Sequence, residues 1–211
     1  MLQLLGRPNS INVRKVQWLC DELALPCALD PWGAGLRSTR EPEFLALNPN
    51  GLVPVLREKT PQGDFVLWES NTICRYLARR EQRADLLPDT LRERAVVEQW
   101  MDWQAGELNN AWRYAFMHGV RKSPAHADPL AAQASAVQWH RHMTLLDTRL
   151  AHTGAYVAGS HFTLADIVLG LAACRWLMTP IEHPPLPAVT AWLARLQPRA
   201  AYRQHACNGV P

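Results

Sequence analysis

Hydrophobic and polar positions follow strand-like and helix-like spacing in turn over the first eighty residues. Short apolar runs between turn residues predict strands, and apolar residues three or four apart predict helices. The predicted strands cover 2–5, 27–29, 53–56 and 65–68, and the predicted helices cover 13–23, 43–47 and 70–77. This β-α-β-α-β-β-α order predicts a mixed four-stranded sheet with helices on both faces.

The pattern changes after residue 80. Residues 81–90 are polar and are interpreted as a linker, and every later apolar segment has helical spacing. Helices are predicted at 91–118, 131–150, 164–178, 187–196 and 199–206. Thr163 and Asp166 have the spacing of a capping box, which stabilises a helix start. The prediction is therefore an α/β domain at 1–80, a linker at 81–90 and an all-helical domain at 91–211.

Composition and charge exclude several classes of protein. The chain is 48% hydrophobic and 19% charged, which is typical of a globular protein and not of a disordered one. It has no apolar run long enough to span a bilayer and no signal-peptide pattern, so we expect a cytoplasmic protein that does not bind membranes. The net charge is only +3 with scattered arginines, so nucleic-acid binding is not expected.

The number and spacing of the cysteines indicate whether disulfides or a metal site are to be expected. The five cysteines are odd in number and form no C-x-x-C motif. We therefore expect neither a disulfide framework nor a metal site, and a reducing compartment is the default.

Four segments, in this order and spacing, resemble the glutathione transferase family: 6–15, 48–56, 69–73 and 159–166. The resemblance implies a thioredoxin-like N-terminal domain, an all-α C-terminal domain, glutathione as co-substrate and a homodimer. A serine follows the first strand, so the chain looks closest to the serine-type bacterial enzymes and is similar to the plant phi and theta-like classes. The thiol-type classes have a cysteine at that position.

Ser10 and Asn12 are the candidate catalytic residues. Glutathione reacts as a thiolate, and a thiol with a pKa of about 8.5 is only slightly ionised at pH 7. One hydrogen bond to that charge is worth about 1.5–3 kcal/mol, which lowers the pKa by about one to two units. The start of the helix near Ser10 adds partial positive charge. Ser10 is equally suited to be a simple N-cap, and Asn12 is either a second donor or a solvent-facing residue.

The resemblance implies that Val53 and Pro54 are joined by a cis peptide bond and that the Val53 backbone pairs with the cysteinyl part of glutathione. It also implies that Glu69 and Ser70 bind the ammonium and carboxylate of the γ-glutamyl end. The alternatives are a trans proline at a strand edge and a helix cap preceded by a surface acid.

One position departs from the family pattern. Leu52 replaces the Lys or Gln that many relatives have before the Val-Pro pair, so the glycyl carboxylate needs another donor. Arg40 and Arg37 are the nearest candidates, with solvated surface charge as the alternative.

A pocket for the second substrate is expected between the loop after the first strand and the first helix of the helical domain. Its candidate lining residues are Arg7, Trp112, Arg113 and Phe116. The alternative is that the aromatic members are core residues, which is the more common role of such side chains at helical spacing.

The leading hypothesis is an enzyme that conjugates glutathione to small electrophiles in detoxification, with dehalogenation among the reactions considered. The alternative is a non-catalytic binding or regulatory protein of the same fold. A disulfide reductase is disfavoured because no cysteine lies near the start of the first helix.

Overall fold

The N-terminal part of the chain forms a four-stranded mixed sheet in the computed structural model, which describes residues 1–211. Its strands are β1 (Leu2–Gly6), β2 (Cys27–Pro31), β3 (Val55–Thr60) and β4 (Gly63–Trp68), in the order β2-β1-β3-β4. β1 is parallel to β2 and antiparallel to β3, and β3 is antiparallel to β4. The predicted sheet is confirmed. β3 begins just after Pro54, so the missing proline N–H lies outside the ladder.

Both faces of this sheet are covered. Leu4 and Leu5 point to opposite faces because side chains alternate along a strand, and both are buried. On one face, Leu5 packs with Trp32, Phe44 and Val55. The helices of this part are α1 (Ile11–Glu22), α2 (Pro42–Leu45) and α3 (Ser70–Arg80), and α1 packs against α3.

The strand register gathers three connections at one end of the sheet. Leu5 lies opposite Val55, and Val55 lies opposite Trp68. The carboxyl end of β1, the start of β3 and the carboxyl end of β4 are therefore adjacent. The segments that leave this end are 7–10, 53–54 and 69–70, which contain most of the predicted glutathione-binding residues.

The rest of the chain is helical, and no strand follows β4, as predicted. Its helices are α4 (Leu91–Trp103), α5 (Asn109–Gly119), α6 (Pro129–Thr153), α7 (Leu164–Met178), α8 (Pro187–Leu196) and α9 (Ala200–His205). The single helix predicted at 91–118 is interrupted by a π-helical turn at Gln104–Leu108. The capping box at the start of α7 is confirmed, since Asp166 accepts a hydrogen bond from the Thr163 N–H at 2.9 Å.

The chain forms two compact units, Met1–Ala84 and Asp85–Pro211. The first is the thioredoxin-like α/β part, and the second is the all-α part. The finer division into 1–80, a linker at 81–90 and 91–211 stays a prediction. No helix of either unit is both long enough and apolar enough to cross a membrane.

The expectation of no disulfide was wrong for one pair of cysteines. Cys174 of α7 and Cys207, just after α9, are bonded, with their Cα atoms 5.5 Å apart. Packing of α9 against α7 brings the two together across 33 residues of sequence. Cys20, Cys27 and Cys74 are free thiols, and no group of three potential ligands could hold a metal ion.

Candidate active site

Ser10 occupies the N-cap position of α1. Its carbonyl accepts the first helical hydrogen bond, from Arg14 N–H at 2.9 Å, but its hydroxyl makes no capping bond. Gly6 makes this tight turn possible, because a Cβ at that position would lie only 2.4 Å from the Val13 side chain. The half-buried hydroxyl therefore keeps its hydrogen-bonding capacity for a ligand.

Asn12 lies in the first turn of α1 and is half-buried. Its Oδ1 atom is buried without a hydrogen-bond partner. Buried polar atoms in folded proteins nearly always find a partner, so this acceptor is open to a donor from water or from a ligand. Ser10 and Asn12 thus begin the same helix with unused hydrogen-bonding groups.

The Val53–Pro54 peptide bond is cis, as the family resemblance implied. The preceding loop is held by Asn48, whose Nδ2 donates to the Leu52 carbonyl at 2.8 Å. The N–H and C=O of Val53 make no hydrogen bond in the protein. An extended backbone with open donor and acceptor groups can pair with another extended peptide.

Glu69 and Ser70 form the turn from β4 into α3. Glu69 has φ = 71°, a left-handed conformation that costs a non-glycine residue on the order of 1–3 kcal/mol. Such strain is characteristic of functional sites. Glu69 is exposed, while Ser70 is 6% exposed and opens the helix with an N–H that precedes the first helical bond, from Ile73 to Glu69.

The two candidate arginines differ in their surroundings. The Arg37 guanidinium forms an ion pair with Glu43 and stacks over the Trp32 ring, 3.7 Å from its centroid. Arg40 is exposed and makes no ion pair, and its Nη1 lies 3.0 Å from where a Cβ on Gly51 would be. Arg40 therefore lies against the loop before Val53 with its charge available, whereas Arg37 is already paired.

Leu52 is 61% exposed beside this loop, and its aliphatic side chain offers no hydrogen bond to a carboxylate. Arg40 is the nearby side chain able to do so.

The four residues predicted to line a second-substrate pocket belong to different units. Arg7 lies in the β1–α1 connection of the first unit, and the other three lie on α5 of the second. On α5, the Trp112 and Phe116 rings are 5.3 Å apart, and Arg113 is exposed. Phe116 is only 3% exposed, which fits the core alternative for that residue. The shared pocket stays a prediction.

Trp112 and Phe116 also share a cation. The Arg175 guanidinium lies 4.8 Å from the Trp112 ring centroid and 4.3 Å from that of Phe116. Trp112 Nε1 donates to Asn109 Oδ1 at 2.9 Å. These contacts fix the direction of the half-buried Trp112 ring.

Sequence reasoning missed one polar pair near the site. Lys15 of α1 is buried, and its Nζ donates to Asn71 Oδ1 of α3 at 3.3 Å. The available signal was the position of Lys15, which shares a helix face with Ile11, Trp18 and Leu19.

Known proteins resemble this chain over nearly its whole length. The family model of the glutathione S-transferase N-terminal domain matches residues 9–80, and that of the C-terminal domain matches residues 129–195. The chain belongs to the glutathione S-transferase family. This transferase is 37% identical to glutathione S-transferase GstB of Escherichia coli K12 over 204 residues, which cover 97% of each chain.

Solved structures are also similar to this transferase. The theta class glutathione S-transferase of Xanthomonas axonopodis pv. citri, crystallised with glutathione bound, matches with a TM-score of 0.89 and 36% identity. The match covers 97% of this chain and 96% of that one. A more distant relative, the disulfide-bond oxidoreductase YfcG of Escherichia coli K12, is 28% identical, with 97% of this chain and 94% of that protein covered.

Proposed function

We propose that this glutathione transferase is of the serine type, with Ser10 stabilising the thiolate of bound glutathione. The observation that carries the proposal is that Ser10 is the N-cap residue of α1, yet its hydroxyl makes no hydrogen bond to that helix. A hydrogen bond to the sulfur would lower the thiol pKa by about one to two units and make most of it reactive near neutral pH. The partial positive charge of the α1 N-terminus acts in the same direction.

Asn12 is the second donor in this proposal. Its side chain lies in the first turn of the same helix and makes no hydrogen bond in the protein. Turning its amide NH₂ toward the sulfur adds a bond to the thiolate. Asn12 is secondary because Ser10 stands at the helix start itself, where the dipole is strongest.

The rest of glutathione binds along the same end of the sheet. The open N–H and C=O of Val53, fixed in place by Pro54, pair with the cysteinyl backbone. Ser70 receives the γ-glutamyl carboxylate at the start of α3, and Glu69 binds the adjacent ammonium. Arg40 binds the glycyl carboxylate in place of the side chain that Leu52 does not supply.

The reaction follows from the thiolate. Its sulfur attacks an electrophilic carbon of a small substrate and forms a carbon–sulfur bond. In an addition the electron pair of the double bond moves to the neighbouring atom, which then accepts a proton, and in a dehalogenation a halide leaves with its electron pair. On α5, the half-buried Trp112 and the exposed Arg113 are the proposed contacts of the electrophile, and detoxification of such electrophiles is the proposed role.

Two measurements test this function. Calorimetry with glutathione should show one site per chain, and a turnover screen over electrophiles should show conjugation. Binding without any turnover would favour the non-catalytic alternative. A disulfide substrate belongs in the screen because YfcG is named for disulfide chemistry. Absence of both binding and turnover would refute the proposal.

The proposed assembly is a homodimer in the cytoplasm that binds neither nucleic acid nor membranes. Two large side chains of the edge strand β4, Phe65 and Trp68, are exposed, at 41% and 37%, which supports a partner at this edge of the sheet. Light scattering at micromolar concentration should give twice the 23.8 kDa chain mass, and a monomer would contradict the dimer.

A further inference from the structure

Lys15 is placed where lysine is rarely found. It lies in the second turn of α1 with 1% of its surface exposed, whereas the other two lysines, Lys59 and Lys122, are exposed. Burying an ammonium group is costly unless it is paired and hydrogen-bonded. A lysine buried this close in sequence to Ser10 therefore calls for a role that a hydrophobic residue would not fill.

Lys15 makes one of its contacts with the first turn of α3. Its Nζ donates to Asn71 Oδ1 at 3.3 Å. Its positive charge also acts on the buried thiol of Cys74, one turn further on, where it opposes the effect of burial that raises the pKa of Cys74 to about 12. The ammonium thus lies beside Asn71, in the first turn of α3.

Asn71 directly follows Ser70, the residue that receives the γ-glutamyl carboxylate in the proposed function. The residue before, Glu69, has the left-handed φ of 71°. A strained turn keeps its geometry only when its surroundings fix it. The Lys15–Asn71 hydrogen bond fixes the turn from the α1 side. It also joins α1, whose start faces the glutathione thiol in the proposed function, to α3, whose start receives the γ-glutamyl carboxylate.

We propose that Lys15 is a positioning residue for glutathione: through Asn71 it holds the first turn of α3 in place, and its buried positive charge strengthens the attraction of that turn for the γ-glutamyl carboxylate. This inference rests on the proposed glutathione site. In this proposal Lys15 does not contact glutathione itself, yet it selectively affects the binding of one charged group of that ligand. A purely structural lysine would affect all ligands alike.

The test compares two ligands by calorimetry. One is glutathione, and the other is γ-aminobutyryl-cysteinylglycine, which is glutathione without the γ-glutamyl carboxylate. The main variant is Lys15→Met, which keeps an unbranched side chain of nearly the same length and removes the charge and the donor. The matched control is Lys59→Met, which makes the same substitution at an exposed site. Asn71→Ala removes the tether and leaves the charge, and it carries the test if Lys15→Met does not fold.

We expect Lys15→Met to weaken glutathione binding roughly tenfold or more, which corresponds to about 1.4 kcal/mol or more. Binding of the decarboxylated analogue should change less than about threefold, and Asn71→Ala should show the same selectivity with a smaller loss. Lys59→Met should bind both ligands as the unsubstituted protein does. Equal losses for the two ligands, or no loss, would overturn the inference. If the unsubstituted protein failed to bind glutathione, the proposed function itself would be wrong.

Discussion

Asp166 gives the sharpest stability prediction. Its carboxylate is fully buried at the start of α7 and accepts four hydrogen bonds. The donors are Thr163 N–H and Val157 N–H at 2.9 Å, Trp192 Nε1 at 2.9 Å and the Thr163 hydroxyl at 3.1 Å. Burial raises the pKa of Asp166 from 3.8 to about 6, although the four donors oppose that change.

The direction of the pH effect follows from this raised pKa. The folded protein holds the Asp166 proton more tightly than the unfolded chain does, so this group contributes most stability below pH 3.8. The contribution is lost as the pH rises through about 6. A difference of roughly two pKa units corresponds to about 3 kcal/mol in the free energy of unfolding.

Asp166→Asn isolates this effect because it removes the titrating group and keeps the side-chain shape. The amide has only one acceptor oxygen, so about two buried donors lose their partner, at about 1–3 kcal/mol each. The variant should therefore be less stable throughout. The stability advantage of the unsubstituted protein over it should shrink by about 2 kcal/mol between pH 4 and pH 7, because part of the effect lies below pH 4.

The assay is urea unfolding followed by tryptophan fluorescence, at half-unit pH steps, for both proteins. Subtracting one curve from the other removes the contribution of every other carboxyl group. A difference that stays constant over this range, or grows with pH, would refute the argument that burial dominates the ionisation of Asp166.

Two further predictions concern the two candidate arginines and the disulfide. Arg40→Ala should raise the KM for glutathione roughly tenfold without loss of stability, whereas Arg37→Ala, which breaks contacts within the protein, should leave the KM unchanged. Steady-state kinetics measures the KM and urea unfolding measures the stability of each variant. A larger KM effect for Arg37→Ala would reverse the assignment. Cys174→Ser should lower the free energy of unfolding by about 3–4 kcal/mol, since the bond to Cys207 closes a loop of 33 residues. The stability of the variant should no longer depend on dithiothreitol. Equal stability of the unsubstituted protein with and without reductant would contradict this prediction.

Local patterns predicted much of this fold because they act over a few residues. α7 runs from Leu164 to Met178, as the apolar spacing indicated, because a capping box and a continuous hydrophobic run define both ends. The π-helical turn at Gln104–Leu108 left no such mark, because the apolar spacing of the long segment continues across it. The Cys174–Cys207 bond depends on how α9 packs on α7, which no local pattern encodes.

The sequence predicted only those features of the candidate site that depend on the type and position of a single residue. The position of Ser10 at a helix start could be read from the sequence, but the absence of a capping bond is a property of the folded turn. Arg37 and Arg40 are equivalent in sequence, and only the contacts of Arg37 with Trp32 and Glu43 distinguish them. Lys15 was missed because its partner lies on another helix.

The role of Ser10 is tested most directly by the ionisation of bound glutathione, followed through the ultraviolet absorbance of the thiolate as a function of pH. The measurement compares the unsubstituted protein with Ser10→Ala and Asn12→Ala. Loss of the Ser10 hydrogen bond should raise the pKa of the bound thiol by about one to two units, and loss of the Asn12 amide should raise it less. The conjugation rate at neutral pH should fall roughly ten- to a hundredfold in Ser10→Ala. An unchanged thiol pKa in Ser10→Ala, or a larger shift in Asn12→Ala, would contradict the assignment of Ser10 as the residue that stabilises the thiolate.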